Sequence, residues 1–389
     1  MINKSRLKLD IYSKESVIIM KCLKTNKKLL SVLLIPLGII LTNIAKHNPQ
    51  IVEKVYSTGF YKTVTYILSN ITGIVPYSVA EFLLYALFIF IVVKIILSIV
   101  RIKNSKEYRL KAIIYFLQNI LITISLLYFC FLLVWGLNYY RLPFSRIAKL
   151  DTKPASLSEL ENLCTDLIKR ANKLKDESIK QSYNNTANMS RYDMDVLNRA
   201  YKGYDNVSAI YPELEGKYGK PKKVLSSTAM SYLGISGIYF PYTAEANVNT
   251  NIPDIMLPNT ASHEMAHQRG FAREDEANYI AYVTCTMHPD IDFQYSGTLL
   301  ALIHSSNALY RNDKERYKKI KKLYSEEVIK DLAEINEFWK QYQGPIEKAS
   351  TKINNAYLKA NNQKDGVKSY GRMVDLLIAE HKRKIHSRQ

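Results

Sequence analysis

The residues of this 389-residue chain best suited to chemistry lie in one stretch, NTASHEMAHQRGFAREDEANYIAY, Asn259 to Tyr282. His263, Glu264 and His267 follow the pattern HExxH. On a helix, residues four apart share a face, so the two imidazoles can be offered to one metal ion. Glu264, beside the first histidine, can reach a water at that ion without binding the ion itself. Zinc suits such donors. It lowers the pKa of its water towards about 7, and a carboxylate can then take the proton as the water attacks a carbonyl. With only 7 histidines in the chain, HExxH would arise by chance in roughly one such sequence in a hundred or fewer. The pattern is therefore a candidate hydrolytic site.

The neighbouring residues must position it. Gly270 can end the motif helix in a left-handed turn, and a new helix is expected from about Arg273. Ala277, Ala281 and Thr284 give that helix a small-residue side, which lets it approach the motif helix closely. Glu274 lies three before Ala277 and seven before Ala281, so it points the same way, as does Asn278. Glu276 aligns with Ile280 and Val283 instead, around the side by about 200°. Periodicity thus favours Glu274 as the third ligand, with Glu276 the alternative or a supporting carboxylate near the helix start.

Here the sequence resembles known proteins. HEMAHQRGFAREDEANYIAY is similar to gluzincin-type zinc peptidases, where HExxH is followed by a glutamate ligand in an ExxxD or ExxAD motif on a second helix. Together with GIYFPYTAEANVN and SYGRMVDLLIAEH, it resembles a family of bacterial membrane proteins defined only as a domain of unknown function. That likeness covers most of the chain. It implies a zincin-like domain holding one Zn2+ ion on His263, His267 and Glu274, with Glu264 as general base. Asn278 stands where the pattern has aspartate, and its amide oxygen can accept the same imidazole N–H bond. Peptidases of this type place an edge strand above the motif helix, where extended substrate pairs with it. GIYFPYTAEANVN is expected to supply that strand, with Glu245 and Asn247 lining a cleft. Tyr370 and Arg372 are candidates for stabilising an oxyanion. His288 is expected as a capping or surface residue, and His304, His381 and His386 as surface residues.

Three apolar runs reach or approach spanning length, roughly 20 residues. They are Leu29 to Ala45, Val79 to Val100, and Ala112 to Tyr140, the last closing in an aromatic cluster suited to a membrane interface. Basic residues flank them at Lys21, Lys24, Lys27 and Lys28, and again at Arg101, Lys103, Lys106, Arg109 and Lys111. Both clusters belong in the cytoplasm by the positive-inside rule, which puts the chain after about Tyr140 outside. The segment Lys46 to Ser78 is also expected outside, with SNITGIVPYS at the interface.

The expected architecture is α+β and mainly helical: a membrane anchor over 1–140 with three transmembrane helices, then an extracytoplasmic zincin-like domain over 141–389 with a small sheet. Leu157, Leu160, Leu163, Leu167 and Leu174 mark a long helix opened by a Ser156–Glu159 capping box. KKVLSSTAMSYLGISGIYFPYTAEANVNTNIPD reads as strands and turns. The net charge of +19 is scattered and accompanied by no nucleic-acid motif, so no nucleic-acid partner is expected. The 4 cysteines form no CxxC. The expected function is a membrane-anchored zinc metallohydrolase, a peptidase whose partners are the lipid bilayer and a protein or peptide substrate. A non-catalytic zinc-binding sensor or scaffold is the alternative.

Overall fold

The computed structural model describes residues 27–104, 109–184, 192–365 and 372–386. The chain forms two compact units, Met1–His47 with Phe82–Leu133 and Asn48–Glu81 with Val134–Gln389. The sequence reading divides the chain once, near residue 140. The structure instead assigns 48–81 to the same unit as the HExxH stretch.

Lys28–His47, Val79–Val100 and Ala112–Val134 are helices long and apolar enough to cross a membrane. None of the apolar window of Val79–Val100 is buried within the protein. In water each exposed apolar Å² costs roughly 25 cal/mol, and a bilayer removes that cost. Of the flanking basic residues, Lys21, Lys24 and Lys106 lie outside the described residues.

One expectation is corrected where the third run ends. Its helix stops at Val134, and Trp135, Leu137 and Tyr139 are buried in the second unit. Indole and phenol groups suit a membrane interface and a polar-lined core equally well, so composition alone did not separate the two. In SNITGIVPYS, Ser69 and Ser78 are buried, while Ile71, Ile74, Val75 and Tyr77 are exposed.

The second unit is built on long helices. Leu157–Asn184 opens with the expected box: Ser156 N donates to Glu159 Oε2 (2.7 Å), and Glu159 N donates to Ser156 Oγ (3.2 Å). Leu160, Leu163, Leu167 and Leu174 of that helix are buried. The sheet has three strands in the order β1-β3-β2, with β1 Lys222–Lys223, β2 Gly237–Phe240 and β3 Glu245–Val248. β3 is central, parallel to β1 and antiparallel to β2, with Ile238 opposite Asn247 and Phe240 opposite Glu245. The stretch between β1 and β2 differs from the reading, because Ser227–Tyr232 is a short helix.

Glu245 and Asn247 do not line a cleft. Both are buried. Glu245 pairs with Lys222 and accepts from Val79 N and Ala80 N, while the Asn247 amide donates to Glu245 O. Glu245 is thus satisfied internally, whereas Asn247 Oδ1 has no hydrogen-bond partner among the described residues.

Candidate metal centre

The motif helix is Leu257–Gln268. It ends as a Schellman turn: Gly270 N donates to His267 O (2.8 Å), Phe271 N donates to Ala266 O (3.2 Å), and Gly270 has φ +82°. That turn brings the Phe271 carbonyl over the preceding imidazole, where it accepts from His267 Nδ1 at 2.7 Å. A carbonyl can only accept, so His267 carries its proton on Nδ1 and presents Nε2.

The second helix, Glu274–Thr286, completes the pattern. Asn278 Oδ1 lies 2.8 Å from His263 Nδ1, which turns that imidazole's Nε2 inward as well. One turn earlier, Glu274 Oε2 lies 3.2 Å from His263 Nε2 and 3.6 Å from His267 Nε2. The ligand atoms of His263, His267 and Glu274 all lie within 4.8 Å of one another, an arrangement that could hold a metal ion. The fit to zinc is good in donor type, and each imidazole has its outer nitrogen fixed by an acceptor, as ligating histidines do.

The electrostatics agree. Burial lowers the His267 imidazole, but the Glu274 carboxylate outweighs it and holds the group up at about 9. Burial raises Glu274, but His267 and His263 hold it far below the usual carboxylate range. Glu264 is buried and raised by that burial, against the pull of His263 and His267. Its Oε2 has no hydrogen-bond partner among the described residues. β2 passes directly over it, and a Cβ on Gly237 would lie 2.5 Å from Glu264 Oε1.

Glu276 faces away from the histidines. Its Oε1 accepts from Phe144 N and from the Arg273 guanidinium, both at 2.9 Å. Phe144 packs edge-on against Phe271 (ring centroids 5.3 Å), so Glu276 supports the turn that holds His267. The small-residue side is rotated slightly from the expectation. Cys285 meets Ser262 of the motif helix at 3.2 Å, whereas Thr284 lies against Gly203 of another helix. Ala277 and Ala281 are buried as expected.

Tyr370 lies outside the described residues. Arg372 pairs with Asp365 at 2.8 Å and lines a cavity with Asp275 and Asp375 that includes neither histidine nor Glu274. His288 is buried rather than at the surface, stacked on Phe293 at 3.7 Å, and accepts from Asp290 N. His304 is half-buried on the helix Ile291–Asn312, and burial pushes its imidazole down to about 4.

Sequence reasoning missed the aromatic support. The Trp135 ring meets His267 edge-on at 5.9 Å and Tyr239 at 4.8 Å. Tyr61 OH bonds Tyr239 OH (3.0 Å) and donates to His267 O (3.2 Å). Tyr139 OH donates to Tyr357 OH at 3.0 Å, and both phenols have Glu274 among their charged neighbours. The aromatic cluster WGLNYY was the available signal, and it was read as a membrane anchor.

The turn itself can be tested. Gly270→Ala should destabilise the protein by about 1–2 kcal/mol for the left-handed residue alone. More is expected from crowding, because its Cβ would lie 2.9 Å from the Tyr61 ring. Urea unfolding followed by tryptophan fluorescence measures this, and an unchanged midpoint would remove the role given to Gly270.

With three helices able to span a membrane and a His2Glu group on two packed helices, the chain can be placed. The family described as protein of unknown function (DUF3810) matches residues 56–378, and the chain belongs to it. No curated protein and no solved structure matches the chain.

Proposed function

We propose that this protein is a membrane-anchored zinc-dependent hydrolase, a peptidase with a zincin-like centre facing outside the cell. One observation carries the reading. The Nδ1 atoms of His263 and His267 are both committed to fixed acceptors, and both Nε2 atoms converge on Glu274 beside a buried, unpartnered Glu264 oxygen. A structural zinc site is closed by four protein ligands, whereas a catalytic one keeps a position open. The group here has three members, which favours catalysis over the sensor or scaffold reading.

Zinc would supply Lewis-acid polarisation of a substrate carbonyl and of a water. The chain's own residues do the rest. Glu264, in its ionised form, takes the proton from water and returns it to the leaving amine. β2 is an outer strand and can pair with an extended peptide, aligning its carbonyl near Glu264.

The test is zinc content and hydrolysis of a peptide library by the detergent-solubilised full chain, before and after chelation. Zinc near one equivalent, with hydrolysis lost on chelation and restored by zinc, supports the reading. A protein that binds no zinc under these conditions ends it.

Orientation follows from the basic flanks around Lys27 and Lys28 and between Arg101 and Lys111. That 48–81 and 134–389 form one unit supports a shared side of the membrane, with Val79–Val100 and Ala112–Val134 crossing as a pair. In intact cells, an impermeant thiol reagent should label a cysteine introduced at Lys348 and spare one at Lys103. The reverse pattern would overturn the outward placement.

A further inference from the structure

Between the apolar helices Lys28–His47 and Val79–Val100, the segment 48–78 folds with the second unit. Its helix Tyr61–Gly73 has two unlike faces. One is buried and bonded. Tyr61 OH donates to His267 O, Thr72 Oγ1 donates to Thr243 O (3.1 Å), and Ser69 Oγ accepts from Gly219 N (3.2 Å). Lys222 Nζ donates to Thr72 O and, just past the helix, to Tyr77 O. These bonds fix the roll of the helix, so its other face cannot turn inward without breaking them.

That other face is apolar and open. Phe60, Ile67, Ile71 and Ile74 recur seven, four and three apart, which keeps them on one side, at 51%, 49%, 60% and 81% exposure. Val75 and Tyr77 continue it and are exposed as well. From Thr63 to Ala80 no side chain is charged, in a chain where 23% of residues are. A face built for water would carry charges. This one carries isoleucine with tyrosine, a composition suited to the headgroup boundary of a bilayer.

We infer that this face lies against lipid, in the headgroup region of the bilayer, as an interfacial helix between two spans. Chain continuity identifies lipid as the occupant. One end of the segment follows His47 and the other enters Val79–Val100, so both ends meet the same side of the membrane. Ile74 is five residues from Val79, at most about 18 Å of extended chain. The start of that span is pinned to the same unit, since Glu245 accepts from Val79 N and Ala80 N, and Glu81 accepts from Leu225 N and Ser226 N. A soluble partner would have to compete with lipid for a face held beside it. Because Tyr61 is on the same helix, the contact sets the His267 turn one helix diameter, about 10–12 Å, from lipid. The inference rests on these apolar helices crossing the membrane, the anchored reading given above, and not on zinc or hydrolysis.

The experiment uses the full-length protein in phosphatidylcholine vesicles, with Cys22→Ser and Cys130→Ser, since Cys164 and Cys285 are buried. Ile67→Cys, Ile71→Cys, Phe88→Cys and Lys348→Cys each carry a nitrobenzoxadiazole label, and all these positions are exposed, so the fold should tolerate them. Iodide is present on both sides of the vesicle. Labels at 67 and 71 should be quenched at least about threefold more by lipid bearing a nitroxide on its acyl chain than by iodide, because apolar surroundings exclude ions. The label at 88, within Val79–Val100, should behave likewise, and the label at 348 should do the reverse. Labels at 67 and 71 that follow 348 while 88 stays lipid-quenched overturn the inference and leave the anchor standing. Shielding of 67 and 71 from both quenchers overturns it in favour of a protein partner, a second copy included. A label at 88 open to iodide ends the membrane-anchored reading itself, and the inference with it.

Discussion

Glu264→Gln is expected to leave the fold and the bound zinc intact while slowing peptide hydrolysis by about 10²–10⁴-fold, the usual contribution of a positioned general base. Glutamine has nearly the same shape, which matters because β2 crosses so closely that a Cβ on Gly237 would strike the Glu264 carboxylate. The substitution therefore keeps the packing and removes the proton acceptor. A general base must be ionised to act, so the wild type should lose activity as pH falls and Glu264 takes up a proton. Rates across a pH series, with zinc measured in parallel, check both points. Full activity in the glutamine variant would remove Glu264 from the mechanism.

The second large effect concerns the ligand set. His263→Ala, His267→Ala and Glu274→Ala should each abolish tight zinc binding, and Asn278→Ala should weaken it by about 10–100-fold by releasing the His263 imidazole. Glu276→Ala should keep zinc. Its loss leaves Phe144 N and Arg273 without their acceptor, at a stability cost of about 1.5–3 kcal/mol. Zinc must also displace the proton that Glu274 holds on His267 up to about pH 9. Affinity should therefore climb with pH across the neutral range and level off near that value, because zinc competes with a proton below it and not above. Competition against a chromophoric chelator at several pH values measures this. A Glu276 variant that loses zinc while the Glu274 variant keeps it would reverse the ligand assignment.

What the sequence determined by itself was local. Helical spacing put His263 with His267, and Glu274 with Asn278, on single faces; Gly270 marked the helix end; Ser156 and Glu159 marked a helix start; and apolar runs marked the three helices long and apolar enough to span a membrane. Each of these depends on residues a few positions apart, where backbone geometry alone dictates who meets whom. The tertiary structure decided the rest. His267 is oriented by the Phe271 carbonyl, a group every residue carries and no residue type announces. Trp135 and Tyr61 come from sequence positions flanking the long apolar helices, and Tyr61 reaches its carbonyl partner from 206 residues away. Their composition fits lipid headgroups as well as a core, so only packing could distinguish the two environments. Glu245 looked like a cleft residue until the strand order made β3 central and drove its carboxylate onto Lys222. Side-chain identity carries no record of strand order, because register and neighbour are set by long-range pairing that the local chain does not encode.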